Sequence, residues 1–170
     1  FSPDSIDVLF ESLGRTNECI VVDLPRPAFG VRHQTLRAAT HVILVTELSL
    51  SVLRDTIRLL GNIEEATSKA KIMVVANRGG GDQQAMRLPD FQKALGRKVD
   101  ALIPDEAKAF NEAANTGKPL VHFAARSKAA KMLQKLAGDI TGAKAKAGKG
   151  KAKGAGPKKA WLSLGKRSAS

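Results

Sequence analysis

The chain has 170 residues with 28 Lys plus Arg against 16 Asp plus Glu, three His, one Cys and no Tyr, enough for one domain with little left for a second. At 43% hydrophobic residues it is too apolar to stay disordered. Its longest apolar runs, such as 41–46, fall far short of the roughly 18 to 20 residues a bilayer span needs, so it reads as soluble. The lone Cys19 excludes an intramolecular disulfide and a Cys-based zinc cage and suits a reducing compartment. The net charge of +12 is unevenly spread: residues 1–142 hold 19 basic and 16 acidic side chains, whereas 143–170 hold nine basic and none acidic. The body is therefore nearly balanced, and the tail carries most of the excess.

In chain order, a helical apolar pattern over 3–13 precedes the β-branched run CIVVD at 19–23, which reads as a buried strand headed by an inert Cys19. A helix over 32–39 leads to the strand HVILVT at 41–46. The segment LSVLRDTIRLLGNIEEA then sets Val52, Leu53, Ile57, Leu60 and Ile63 at three- and four-residue spacings, with Arg54, Asp55, Arg58 and Glu64 on the exposed side, which makes one amphipathic helix. KIMVVAN at 71–77 is the next strand, followed by a helix over 89–96, the strand VDALIP at 99–104, a helix over 105–115 that Asp105 can cap, and a helix over 127–138. In that last helix Ala130, Leu133, Leu136 and Ala137 can pack inward. Nearly continuous apolar strands alternating with helices predict an α/β fold: a doubly wound, mostly parallel sheet with flanking helices. Residues 143–170, rich in Lys, Ala and Gly, read as a disordered basic tail with its boundary near Gly142.

In such sheets ligands sit beyond the carboxyl ends of the strands. The residues that end the four runs are Asp23, Thr46, Asn77 and Pro104 with Asp105, and they can converge on one rim. A strand-end carboxylate such as Asp23 can hold magnesium, directly or through water. An Asn offers a donor and an acceptor to the edge of a base. His33, His41 and His122 lack metal-ligand spacing and read as structural, and no Ser lies on a nucleophile elbow.

Five segments in order, VVDLPR (21–26), LRAATHVILVTELSLSVLRDTIRLL (36–60), VVANR (74–78), LIPDE (102–106) and TGKPLVHFAARSKAAKMLQKLA (116–137), resemble the carboxyl half of the MinD/ParA ATPase superfamily. Within it they are most similar to the tad (Flp) pilus-assembly ATPases of the TadZ/CpaE-like group. The resemblance implies that Asp23 is the Walker B-type acidic residue beside magnesium and that 24–32, with Pro25, Arg26 and Gly30, is the switch segment sensing the terminal phosphate. It likewise implies that Asn77 and Arg78 meet the adenine while Pro104 and Asp105 form the loop closing over it. The DLPR sequence replaces the small residue, Pro and Gly that follow the Asp in many members.

The superfamily holds phosphates on a glycine-rich loop between an N-terminal strand and helix, and nothing before Cys19 has that form. AGKGKAKG at 147–154 follows no strand and has no Ser or Thr after a Gly-Lys pair; GGGD at 79–82 has neither Lys nor hydroxyl and reads as a flexible turn. With Phe1 in place of Met, these features suggest the carboxyl part of a larger domain whose phosphate loop lies upstream. By this reading the full-length protein is an ATPase using ATP and magnesium, and the present chain alone has no turnover.

The implied whole is a cytoplasmic, ATP-dependent homodimer that acts with pilus or secretion machinery, peripheral at the inner face of the plasma membrane or at a cell pole. Two other readings keep the fold: a catalytically decayed scaffold or localisation module, and a ParA-like DNA-partitioning ATPase, which matches the segments less well. Arg126, Lys128, Lys131 and Lys135 form a candidate anion-facing surface on the last helix. In the tail, Trp161, Leu162 and Leu164 among lysines suit an anionic membrane surface. The absence of interleaved aromatics leaves DNA only salt-sensitive phosphate attraction.

Overall fold

The structure, a computed structural model, describes residues 3–25, 32–81 and 85–142. Helix α1 (Pro3–Gly14) packs against α2 (Arg32–Ala38), which leads into β1 (His41–Glu47). There follow α3 (Leu50–Ala66), β2 (Lys71–Gly79), α4 (Leu88–Leu95), β3 (Ala101–Pro104), α5 (Ala107–Asn115), the short α6 (Leu120–Phe123) and α7 (Lys128–Thr141). The three strands form a parallel sheet in the order β1-β2-β3, with His41 opposite Lys71 and Val75 opposite Ala101.

Helices cover the sheet on both faces, as the doubly wound reading requires. Because side chains alternate along a strand, β2 serves two cores. Val74 and Ala76 meet Leu53 and Leu60 of α3 and Phe91 and Leu95 of α4. Met73 and Val75 join Ala101 and Ile103 of β3, Ala113 of α5, Leu120 of α6, and Ala129, Ala130 and Leu136 of α7. The strand β3 starts through Asp100, whose side chain accepts from the Val74 amide at 2.7 Å while its own amide donates to the Val74 carbonyl at 2.8 Å.

Among the helices, α3 forms where its apolar spacing predicts, with Ser49 as N-cap accepting from the Val52 amide at 3.4 Å. Its buried face is Leu53, Thr56, Leu60 and Ile63; Ile57, expected inside, is 46% exposed. Thr56 takes the inward place because it has a polar partner there. Its hydroxyl lies 2.7 Å from the Val52 carbonyl and 2.7 Å from the buried Thr46 hydroxyl, so Thr46 donates to Thr56, which donates to Val52. Thr46 therefore ties β1 to α3 rather than facing the rim. Thr56→Val leaves the buried Thr46 hydroxyl only the Glu47 carbonyl, at a long 3.5 Å, as acceptor and should cost about 1–3 kcal/mol, whereas Thr46→Val, which leaves the Thr56–Val52 bond intact, should cost less; urea unfolding of both variants checks the order.

The expectation of a fourth strand at 19–23 is corrected. Residues 17–25 lie outside any strand, with Ile20, Val21 and Val22 exposed, Val21 at 89%. Cys19 is exposed as well, not buried. A β-branched run becomes a strand only with a ladder partner, and the one described neighbour of β1 is β2. Ile43 and Val45, which alternate with the α3-facing Leu44 and Thr46, are partly open, Val45 at 59%. At the other end Ala137, expected inward, is exposed, while Ala129 and Ala130 are fully buried. Gly142 closes α7 in the left-handed conformation, φ 70°. Among the described residues no helix is long and apolar enough to cross a membrane.

Candidate functional site

The sheet gathers part of the candidate set at the carboxyl ends of β2 and β3. Up to Ala76 opposite Leu102 the β2–β3 ladder is regular and its next pairing is Gly79 with Pro104, so Asn77 and Arg78 lie in an irregularity on the β3 side, while Asn77 stays opposite Glu47 of β1. Asn77 Oδ1 accepts from the Arg78 amide at 3.0 Å, and its amide nitrogen has no protein partner among the described residues. Arg78 adopts φ 54°, a left-handed conformation that costs a non-glycine residue on the order of 1–2 kcal/mol. Strain of this kind persists where the surroundings impose it, often at binding sites. The Arg78 guanidinium reaches Glu47 at the end of β1 at 3.6 Å, an exposed pair.

The glycines beside it are not a free turn. Gly79 belongs to β2 and is buried, pressed against the Leu102 side chain of β3: a Cβ there would stand 2.6 Å from Leu102 Cγ. Gly80 has φ 76°, and a Cβ on Gly81 would stand 2.6 Å from Asp105 Oδ2. The Asp105 amide donates to the Gly79 carbonyl at 3.0 Å. Asn77, Arg78, Pro104 and Asp105 thus lie on one rim, bound through the 79–81 backbone. Asp105 does not cap α5, whose N-cap is Glu106 with no side-chain bond to its own helix.

Sequence reasoning missed Glu106. Its two carboxylate oxygens accept from the amides of Lys128 and Ala129, each at 3.1 Å, at the start of α7. Ser127 accepts from Ala130, also at 3.1 Å, so the orphan donors of that helix are taken. The bond from the Ala129 amide, followed by those from Ser127 and Lys128 and by the Lys128 charge, holds the Glu106 carboxyl below its ordinary value of 4.5 against the opposing effect of desolvation. The only sequence signal was its position directly after the strand-end Asp105.

Asp23 and Pro25 are exposed on the irregular 17–25 segment, which is not part of a strand; Arg26 and Gly30 lie outside the described residues, as do Trp161, Leu162 and Leu164. Arg126, Lys128, Lys131 and Lys135 are all exposed and form no ion pair among the described residues. No group of three or more His, Cys, Asp or Glu among the described residues is placed to hold a metal.

No protein-family model matches the chain, and neither does any curated protein. Among solved structures it is similar to the MinD cell division protein of Aquifex aeolicus, at TM-score 0.70 and 20% identity over 85% of this chain and 62% of that one. A ParA family ATPase from Chlorobium tepidum aligns at TM-score 0.66 and 21% identity over 78% and 55%. The septum site-determining protein MinD of Pyrococcus horikoshii, complexed with Mg-ADP, aligns at 0.63 and 22% over 82% and 56%. The chain thus spans between 55% and 62% of the length of these neighbours. Over most of its described length the chain has the α/β fold of the MinD and ParA ATPases.

Proposed function

We propose that the chain supplies the adenine and magnesium side of an ATP-dependent switch of the MinD/ParA type, working in the assembly or placement of a tad-type pilus apparatus. The observation that carries the nucleotide reading is the pairing of Gly79 with Pro104, which sets Asn77 and Asp105 on one rim of a fold shared with an Mg-ADP-bound neighbour. Asn77 keeps an amide N–H₂ to donate to an adenine ring nitrogen, and its carbonyl oxygen retains a second lone pair for the exocyclic amine. Pro104, paired with Gly79, and Asp105, beside Gly81, support the reading of a loop closing over the base.

For magnesium, Asp23 is an exposed oxygen donor. That suits an ion usually bound by one or two carboxylates plus phosphates and water. When bound, the ion neutralises phosphate charge. Pairing of two copies across nucleotide, the pilus-machinery partners and hydrolysis by the whole protein belong to the same proposal and rest on the sequence resemblance. The outward lysines of α7 support a surface for an anionic partner, with the tail as its extension.

Photolabelling with 8-azido-ATP, read by peptide mass spectrometry, tests the rim. The label should concentrate on 77–81 and 101–105, be competed by ADP but not by GDP, and fall about fivefold in Asn77→Ala, as expected for a lost hydrogen bond. Diffuse label, or label indifferent to both ADP and Asn77→Ala, would overturn the adenine assignment.

A further inference from the structure

Three short segments far apart in sequence are joined through the loop at 104–106. On one side the Asp105 amide bonds to the Gly79 carbonyl at 3.0 Å, and the Asp105 carboxylate lies against Gly81. On the other, the Glu106 carboxylate spans the Lys128 and Ala129 amides at 3.1 Å each. Two consecutive residues of one turn thus grip the nucleotide-side glycines and the first turn of α7. The Glu106 contacts are charge-assisted and bidentate, which makes them stronger and more directional than a neutral cap. Lys128, the first residue of α7, also begins its exposed cationic face.

We propose that Glu106 is a positioning residue that couples α7 to the 77–81 and 104–105 rim, so that ordering of one favours ordering of the other. Ser127 caps the Ala130 amide, and the charged, seated Glu106 carboxylate fixes the Lys128 and Ala129 amides ahead of it and, with them, the backbone that carries Asp105. Coupling of this kind is reciprocal: a ligand that orders the rim tightens the start of α7, and an anionic partner that displaces the carboxylate from α7 loosens the rim. Reading the rim as nucleotide-side rests on the function proposed above. The mechanical link does not.

Charged groups around Glu106 are Lys128 of α7, Asp105 on its own loop, and Lys108 and Glu112 of α5, the last three sharing with Ser127 an open cleft of about 490 Å³. Amide NMR of the full chain, without nucleotide, separates them. From neutral pH downward, the amides of Lys128, Ala129 and Gly79 should titrate together at one midpoint below 4.5. In Glu106→Gln that shared titration should vanish, and amide exchange should rise about tenfold at both the start of α7 and Asp105. Loosening confined to α7, with Asp105 and Gly79 unchanged, would overturn the coupling. So would a wild-type titration at Ala129 that Gly79 does not share, a measurement that needs no variant to fold. Failure of the nucleotide reading appears instead as diffuse photolabel on the wild-type chain.

Discussion

Phe91→Ala should remove about 3–5 kcal/mol of folding stability, the cost of truncating a large aromatic in a core that cannot collapse around the gap. Phe91 is fully buried, as is Val74 of the same cluster, and among the described residues it is the only aromatic in the cluster formed by α3, α4 and β2. The walls of its site are held independently of it. Leu53 and Leu60 belong to a 17-residue helix anchored at both ends, by Ser49 at the start and by the Thr67 amide on the Ile63 carbonyl at 3.0 Å at the finish. Val74 and Ala76 lie in the central strand, paired on both sides. Little can therefore move inward. Since domains are stable by only about 5–15 kcal/mol, the variant should unfold well below the urea midpoint of the parent. Phe91→Leu, which keeps most of the volume, should restore much of the loss. A loss below about 1 kcal/mol for Phe91→Ala would mean that α4 does not sit on β2 as described.

The parts of the fold legible in the sequence were those whose pattern is set by contacts within the chain. The helix at 50–66 and the run at 71–77 are legible because their surroundings, the sheet and its covering helices, are present among the described residues; the run at 41–46 pairs with β2 along its whole length, although Ile43 and Val45 stay partly open. CIVVD at 19–23 has the composition of a buried strand but no described neighbour to pair with, so composition alone misplaced it. Ile57 was misread for a different reason: Thr56 gains a place inside through the Thr46 and Val52 hydrogen bonds, which hydropathy does not count. On the rim, Asn77, Arg78, Pro104 and Asp105 were found as strand-end residues, yet the irregular ladder between Ala76 and Gly79 was not readable from the pattern. Glu106 was missed because its partners lie 22 and 23 residues away, on backbone amides that every residue type carries.

Gly79→Val should be the most damaging single change at the rim, and its effect should divide between stability and site geometry. The new Cβ would overlap the Leu102 side chain, with Cγ at 2.6 Å and a terminal methyl nearer still, so the whole side chain must turn away from Gly79 to relieve the clash. Either Leu102 leaves its place beside the α3 and α4 core, or β3 moves away from β2. Overpacking of this kind costs about 1–3 kcal/mol. Separation of the strands would also break the Gly79 carbonyl from the Asp105 amide and release the turn that carries Glu106. Leu102→Ala removes the obstructing side chain. The double variant Gly79→Val with Leu102→Ala should therefore recover part of the stability, with a coupling between the two changes of about 0.5–3 kcal/mol by urea unfolding. Additive losses would place the harm in the backbone of the irregular ladder instead of at Leu102. Amide exchange at Asp105 in the double variant then decides how much of the rim is restored: protection near the parent level means that the β2–β3 spacing alone positions Asp105, and persistent fast exchange means that the Leu102 side chain is itself part of what holds the rim closed.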